Sequence, residues 1–287
     1  MRIAFIGLGK MGAPMARNLA AAGHQVKGYD AAGAKAHGVT AASSLQEAVK
    51  ACDAVITMLP DGNALGTVYA DMLQDLAPQT LLIDCSTVDV ATARAVASDA
   101  GQAGHLPLDA PVSGGTAGAA AGTLTFMVGG APDAFAKAEP LFDIMGARAF
   151  QCGGSGAGQA AKICNNMILG ISMIATCEAF ALADGLGLDR QALFDVVSAS
   201  SGQSWSMTTY CPAPGIGPTT PADNDYLPGF STDLMLKDLT LSQQAAGEAG
   251  VATKLGEHAR ALYADLAAKG DGGRDFSAML EDLTKAD

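Results

Sequence analysis

Charge is scarce in this chain and positive charge scarcer: of 287 residues only 17 are Lys or Arg against 29 Asp or Glu, a net charge of −12. Sequence-independent nucleic-acid binding rests on a surface excess of cations, so no nucleic-acid partner is expected and any anion site must be local. The six cysteines (Cys52, Cys85, Cys152, Cys164, Cys177, Cys211) include no C-x-x-C pair, which argues against disulfides, zinc and metal binding in general. H-E-x-x-H, G-x-S-x-G and a Walker lysine are missing too. The four histidines (His24, His37, His105, His258) adjoin no Asp or Arg pattern that suggests a histidine acid/base. No secretory signal is evident at Met1, and the most apolar later stretch is interrupted by Asn165, Asn166 and Glu178. Neither a membrane span nor a membrane partner is therefore expected, and a cytoplasmic location is the default.

What is abundant is apolar material: 49% of residues are hydrophobic, enough for one large or two moderate globular domains. Short strand-like runs at 2–6, 25–30, 53–58 and 80–84 alternate with helical stretches, the first at 10–22 with Met11, Met15 and Leu19 on one face. That alternation implies an α/β fold with a doubly wound parallel sheet, whose ligands lie at the carboxyl ends of the strands. Two more extended runs, 106–111 and 123–129, enlarge it. From Ser155 to Ala183 there is no proline and apolar residues fall on nearly every face, the pattern of a long buried helix. Helical runs at 190–199, 231–248 and 252–269 follow without strand signals. The expected organisation is a nucleotide-binding Rossmann domain over 1–160, then an all-helical domain over 161–287, linked by the long helix. Between Tyr210 and Gly229 stand five prolines and three glycines, read either as a substrate-covering loop or as a packed surface loop.

Gly7-Leu8-Gly9-Lys10-Met11-Gly12 is G-x-G-x-x-G between a strand and a helix. The first glycine permits the tight turn, the second lets backbone approach a pyrophosphate, and the third lets the helix pack closely, with helix N–H groups offered to the phosphates. Asp30, about 20 residues on, closes the second strand, where a carboxylate accepts from ribose hydroxyls and repels a 2′-phosphate. With Ala-Ala-Gly-Ala following it, NAD is favoured over NADP. Met58-Leu59-Pro60 and Asp84-Cys85-Ser86-Thr87 end the third and fourth strands, where the nicotinamide half should pass or where ordinary loop chemistry suffices.

Lysines are the remaining proton carriers. Lys162 lies early in the long helix with Asn166 one turn later on the same face. Snorkelling to solvent is its bland explanation. The small residues Gly153-Gly154-Ser155-Gly156-Ala157-Gly158 favour the other one, since they let a cofactor or substrate approach the backbone. Lys237 is the second candidate, with a salt bridge to a nearby acid as its alternative. Ser113-Gly114-Gly115, after Asp109-Ala110-Pro111-Val112, is either a turn or a cradle for a small carboxylate.

Phe5 to Ala16, Asp109 to Gly115, Gly156 to Asn166 and Lys237-Asp238-Leu239 together resemble the β-hydroxyacid dehydrogenase family nearly end to end. Ser201 to Trp205 and the loop ending Gly229-Phe230 are similar to its 3-hydroxyisobutyrate branch. The resemblance implies that Lys162 is the acid/base and that Asn166 positions it or the substrate. It implies that Ser113, Gly114 and Gly115 hold the substrate carboxylate, with Lys237 reaching the substrate and cofactor from the other side. Leu59, Pro60 and Thr87 would touch NAD beside the glycine turn. The implied reaction oxidises (S)-3-hydroxyisobutyrate to methylmalonate semialdehyde in valine breakdown. Its base must be neutral, so a free lysine value of ~10.4 has to come down toward ~7–8. The alternatives are a reductase of the same family acting on tartronate semialdehyde or glyoxylate, against which Asp30 speaks, an imine reductase, against which Lys162 speaks, and a non-catalytic NAD-binding sensor. A long helix apolar all round needs cover on every side, so a homodimer or homotetramer is expected.

Overall fold

The computed structural model describes residues 1–284, which divide into two compact units, Met1–Lys162 and the residues from Ile163 onward. The first unit carries one nine-stranded sheet. Its elements run β1 (Arg2–Ile6), α1 (Gly12–Ala21), β2 (Gln25–Tyr29), β3 (Thr40–Ala41), α2 (Leu45–Val49), β4 (Ala54–Thr57), α3 (Gly62–Met72), β5 (Leu81–Asp84), α4 (Val90–Gln102) and β6 (Leu106–Asp109). Then come β7 (Val112–Ser113), α5 (Gly115–Ala121), β8 (Leu124–Gly130), α6 (Pro132–Met145) and β9 (Gly146–Gly153). The spatial order is β3-β2-β1-β4-β5-β6-β8-β7, with β9 beside β8. From β3 to β6 the pairing is parallel, whereas β8 runs antiparallel to both β6 and β7. The chain winds one way from β1 and the other way from β4, so the carboxyl ends of these two neighbours part at a topological switch point.

The strands alternate between two cores because successive side chains leave opposite faces. Ile3 and Phe5 of β1 join Ala54 and Ile56 of β4 against α1 and α6, where Met15, Leu19, Leu141 and Phe142 lie. Ala4, Ile6 and Val55 face α2, α3 and α4, meeting Val49, Leu65, Met72 and Val96. Both faces are covered, which is why these strands read as nearly continuous apolar runs. Each fully buried Ile, Leu or Phe contributes roughly 1.5–3 kcal/mol relative to an exposed one.

The second unit is helical, as the sequence implies. It holds most of α7 (Ala157–Leu186), then α8 (Arg190–Ser198), α9 (Trp205–Thr208), α10 (Thr232–Ala249), α11 (Lys254–Leu266) and α12 (Met279–Thr284). Its core gathers Met173, Cys177 and Phe180 of α7 with Met235 and Leu239 of α10, Tyr263 and Leu266 of α11, and Phe276. The proline-rich segment 210–229 is packed into this unit. Tyr226 donates its hydroxyl to the Pro212 carbonyl and Thr220 to that of Cys211. The buried Asp275 carboxylate accepts from the Tyr210 hydroxyl and from the Gly229 and Phe230 N–H groups.

Three expectations need correction. The helix α7 is not buried all round: Met173 and Cys177 are enclosed, but Ile168 is 62% and Leu182 64% exposed. By length and composition it is long and apolar enough to cross a membrane, with less than half of that window buried. The helices α5 and α6 and the strand β9 were not foreseen; α5 is Gly-Thr-Ala-Gly-Ala-Ala-Ala, and an isolated seven-residue run of that kind carries no periodic apolar signal. Finally, two of the small residues before Lys162, Gly156 and Gly158, have a packing role within the protein. A Cβ on Gly158 would run into the carbonyl oxygens of Met127 and Asp109, and one on Gly156, at φ +83°, would press on Arg94. Gly158 lets the start of α7 lie directly on β6 and β8. Gly158→Ala is therefore expected to destabilise the protein by about 2 kcal/mol or more in urea unfolding, because a backbone contact has to shift; unchanged stability would contradict this packing.

Candidate functional site

The glycine turn divides its labour in the way its geometry requires. Gly7 has φ +93°, and a Cβ there would collide with the Met58 carbonyl. A Cβ on Gly12 would collide with the Gly7 carbonyl, so this position brings α1 onto the strand. Gly9 is different: a Cβ there meets nothing within 4 Å. Packing inside the protein gives no reason for a glycine at that place, whereas close approach of a phosphate does. The first turn of α1 has no side-chain cap and no acidic residue. Lys10 is exposed and Met11 half-buried, while Leu8 is buried and its N–H is donated to Asp30 at 2.8 Å.

Asp30 directly follows β2 and is tied to that turn. One oxygen accepts from Leu8 and the other from the Ala32 N–H at 2.9 Å, with the residue still partly exposed. The carboxylate thus stiffens the turn and stands beside it. An open Gly9 with an anion-binding helix start, and an acid at the end of the adjacent strand, fits a dinucleotide at the switch point.

Past the switch point, β4 and β5 end in a hydrogen-bonded knot that the sequence reading missed. The Thr57 hydroxyl donates to Asp84 Oδ1 at 2.7 Å, and Ser86 donates both its hydroxyl at 2.6 Å and its N–H at 3.1 Å to the same oxygen. The Leu59 N–H donates to the Ser86 hydroxyl oxygen at 2.8 Å. Asp84 therefore binds the Leu59-Pro60 loop to the Ser86-Thr87 loop, the two segments expected to meet the nicotinamide. Asp84 is fully buried, and its other oxygen, Oδ2, has no hydrogen-bond partner. Burial pushes its carboxyl up to about 6, against the opposing hydrogen bonds from Ser86 and Thr57. A signal was available: one acid closing the otherwise apolar Leu81-Leu82-Ile83.

At the end of the next strand, Asp109 accepts from the Gly156 N–H at 2.7 Å and the Gln159 N–H at 2.9 Å. These are N–H groups at the start of α7 that lack partners within the helix, so Asp109 caps it from another element. Its carboxyl too is raised by burial, and these backbone donors oppose the rise. One turn along α7, Lys162 is only 7% exposed and donates from Nζ to the Val112 carbonyl at 2.8 Å. It does not snorkel. Val112 immediately precedes Ser113, Gly114 and Gly115, the last two at φ +129° and +61° where a glycine is favoured. The structure thus brings Lys162 beside the loop expected to hold a carboxylate.

In the second unit, Asn166 is 2% exposed and donates to Asp238 Oδ2, while its Oδ1 accepts from Asn165 at 2.9 Å. Asp238 Oδ1 also lies 3.8 Å from Lys237 Nζ. The salt bridge weighed for Lys237 is present, and Asp238, which had no role in the sequence reading, fixes the orientation of Asn166. Among the described residues no cluster of three or more His, Cys, Asp or Glu is arranged to hold a metal ion.

The raised Asp84 carboxyl has a measurable consequence. Between the ordinary value of 3.8 and about 6 the folded state binds more protons than the unfolded one, so this residue's contribution falls as pH rises through that window and is level above it. Asp84→Asn removes the dependence. Its stability relative to the parent is expected to increase by up to about 3 kcal/mol between pH ~4 and pH ~7, measured by urea unfolding; a difference that does not change with pH would contradict the burial of this charge.

Comparison with known proteins agrees with this geometry. Residues 2–154 match the family described as the NAD binding domain of 6-phosphogluconate dehydrogenase, and residues 156–283 the one described as NAD-binding of NADP-dependent 3-hydroxyisobutyrate dehydrogenase. A probable 3-hydroxyisobutyrate dehydrogenase of Mycobacterium tuberculosis is 51% identical over 98% of this chain and 97% of its own. The NAD-dependent L-serine dehydrogenase of Pseudomonas aeruginosa is 46% identical over 97% of this chain and 96% of its own. A solved structure of the Mycobacterium tuberculosis 3-hydroxyisobutyrate dehydrogenase with L-serine superposes with a TM-score of 0.94 at 50% identity, covering 99% of both chains. The chain belongs to the 3-hydroxyisobutyrate dehydrogenase family of β-hydroxyacid dehydrogenases and is an oxidoreductase that uses NAD(P).

Proposed function

We propose that the protein oxidises (S)-3-hydroxyisobutyrate to methylmalonate semialdehyde with NAD, in valine breakdown, with Lys162 as the acid/base. The observation that carries this reading is the buried lysine held on the Val112 carbonyl directly before Ser113. The Val112 bond is made by an N–H of the amine, so it orients the base through a donor and not through the lone pair that would take the proton. Ser113, Gly114 and Gly115 receive the substrate carboxylate. Asn166, aligned by Asp238, and Lys237 complete the substrate contacts, and Lys237 also reaches the cofactor. The cofactor lies along Gly7 to Gly12, Asp30, Leu59, Pro60 and Thr87; when bound, its nicotinamide supplies the hydride acceptor. In this division of labour residues 1–160 bind the nucleotide, and residues 161–287 serve substrate binding and assembly. Asp30 supports NAD over NADP, since its carboxylate repels a 2′-phosphate.

L-serine is the second reading, favoured by the identity to an L-serine dehydrogenase and by the serine in the solved relative. Both compounds are primary alcohols one carbon removed from a carboxylate-bearing centre, and the same lysine and loop suit either. The exposed apolar residues of α7, Ile168, Leu182 and Leu186, support a homodimer or homotetramer. A cytoplasmic location goes with this reading.

Purified protein given NAD or NADP with (S)-3-hydroxyisobutyrate, L-serine, 3-hydroxypropionate or D-glycerate, followed by reduced-cofactor absorbance, tests the assignment. The expected result is NAD-linked turnover with the highest kcat/KM for 3-hydroxyisobutyrate, rising toward alkaline pH because the working base is the neutral amine. A preference for L-serine selects the second reading. NADP preference with activity on glycerate alone would overturn both.

A further inference from the structure

Gln159 is a buried polar side chain that the proposed reaction leaves without a task. It has no accessible surface, and it stands on α7 three residues before Lys162, just under one turn. Its side-chain Nε2 donates to the Ser86 carbonyl at 2.8 Å, and its Oε1 accepts from the Val88 N–H at 3.2 Å. Only one orientation of the amide satisfies both partners, since one is an acceptor and the other a donor. The amide therefore pairs at both ends with the two backbone groups that flank Thr87. Its own backbone N–H is held by Asp109.

An apolar side chain of equal length would fill the same space without burying an amide, but would leave the Ser86 carbonyl and the Val88 N–H without these partners. The amide thus adds both satisfied backbone groups and register. Thr87 lies on the loop proposed to meet the cofactor, and Lys162 lies on the helix proposed to meet the substrate hydroxyl. We infer that Gln159 is a positioning residue for the reaction: by clamping Ser86 and Val88 to the start of α7 it fixes the separation between the cofactor loop and the Lys162 amine. This rests on the proposed role of Lys162. It deepens that role by naming what keeps base and hydride acceptor in step.

Gln159→Met keeps the volume and removes both side-chain bonds. NADH affinity by fluorescence, thermal unfolding of the free protein, kcat, KM and the primary deuterium isotope effect on the alcohol carbon are measured together. NADH affinity and KM are expected to change little. A misplacement of the reacting groups well under an ångström should lower kcat by about tenfold or more. The isotope effect should then rise as hydride transfer becomes limiting. Parent values of kcat and isotope effect, or a lower kcat with an unchanged isotope effect, would overturn the inference. If the methionine variant does not fold, Gln159→Glu, assayed at alkaline pH where its carboxyl is ionised, keeps the shape and the acceptor for Val88 while losing the donor to Ser86. It is expected to move kcat and isotope effect in the same direction, and parent values there overturn the inference as well. Lys162→Ala assayed alongside separates the two failures. Turnover retained in that variant removes the lysine reading and this inference with it, whereas turnover lost there but unaltered in the Gln159 variants removes this inference alone.

Discussion

The start of a long helix leaves N–H groups that have no partner within the helix, and here a buried carboxylate on a neighbouring strand receives them. Asp109, at the end of β6, takes the N–H groups of Gly156 and Gln159 and so fixes where α7 begins and how its first turn lies on the sheet. Everything proposed about catalysis depends on that attachment, because Lys162 is one turn further along the same helix. The glycines at 129 and 158 are consequences of it: the backbone comes too close at these places for a side chain. The cost is a carboxylate raised by burial, offset by backbone donors that favour its charged form.

A second carboxylate, Asp84, does for the loops what Asp109 does for the helix. Through Thr57 and Ser86 it joins the ends of β4 and β5, and through Ser86 it reaches Leu59. Gln159 connects the two systems, since Ser86 and Asp109 are both its partners. The loops on which a nicotinamide is proposed to rest, and the helix proposed to carry the base, thereby belong to one network of polar groups with little solvent access. Such a network is rigid where its members are satisfied, and here the exception is the unpartnered Asp84 Oδ2. That rigidity suits a reaction in which hydride and proton leave one small alcohol toward different acceptors.

Reading the sequence found the parts whose pattern is local. The glycine turn, the strands around it and the helical second half are all legible because strand and helix periods, and glycine spacing, are properties of contiguous residues. Asp30 and Lys162 could be singled out for the same reason, as polar residues at expected places. What escaped were the long-range partners. Nothing in Gln159 as a letter in an alanine-rich run says that its amide meets Ser86 and Val88, and Asp238 looks like the surface neighbour of Lys237 until Asn166 is found donating to it. The packing role of Gly158 escaped because a glycine that admits a ligand and one that admits a strand look alike in sequence. Only the open space at Gly9 and the crowding at Gly158 tell them apart.

In the proposed reaction a buried lysine carries the proton while the nucleotide site stands independently of it. The most direct test is a single variant, Lys162→Ala, in which NADH binding and turnover are measured on the same sample. The account predicts NADH affinity close to that of the parent with kcat lower by about 100-fold or more, the scale of a lost general base. Turnover equal to the parent's with binding intact would contradict it.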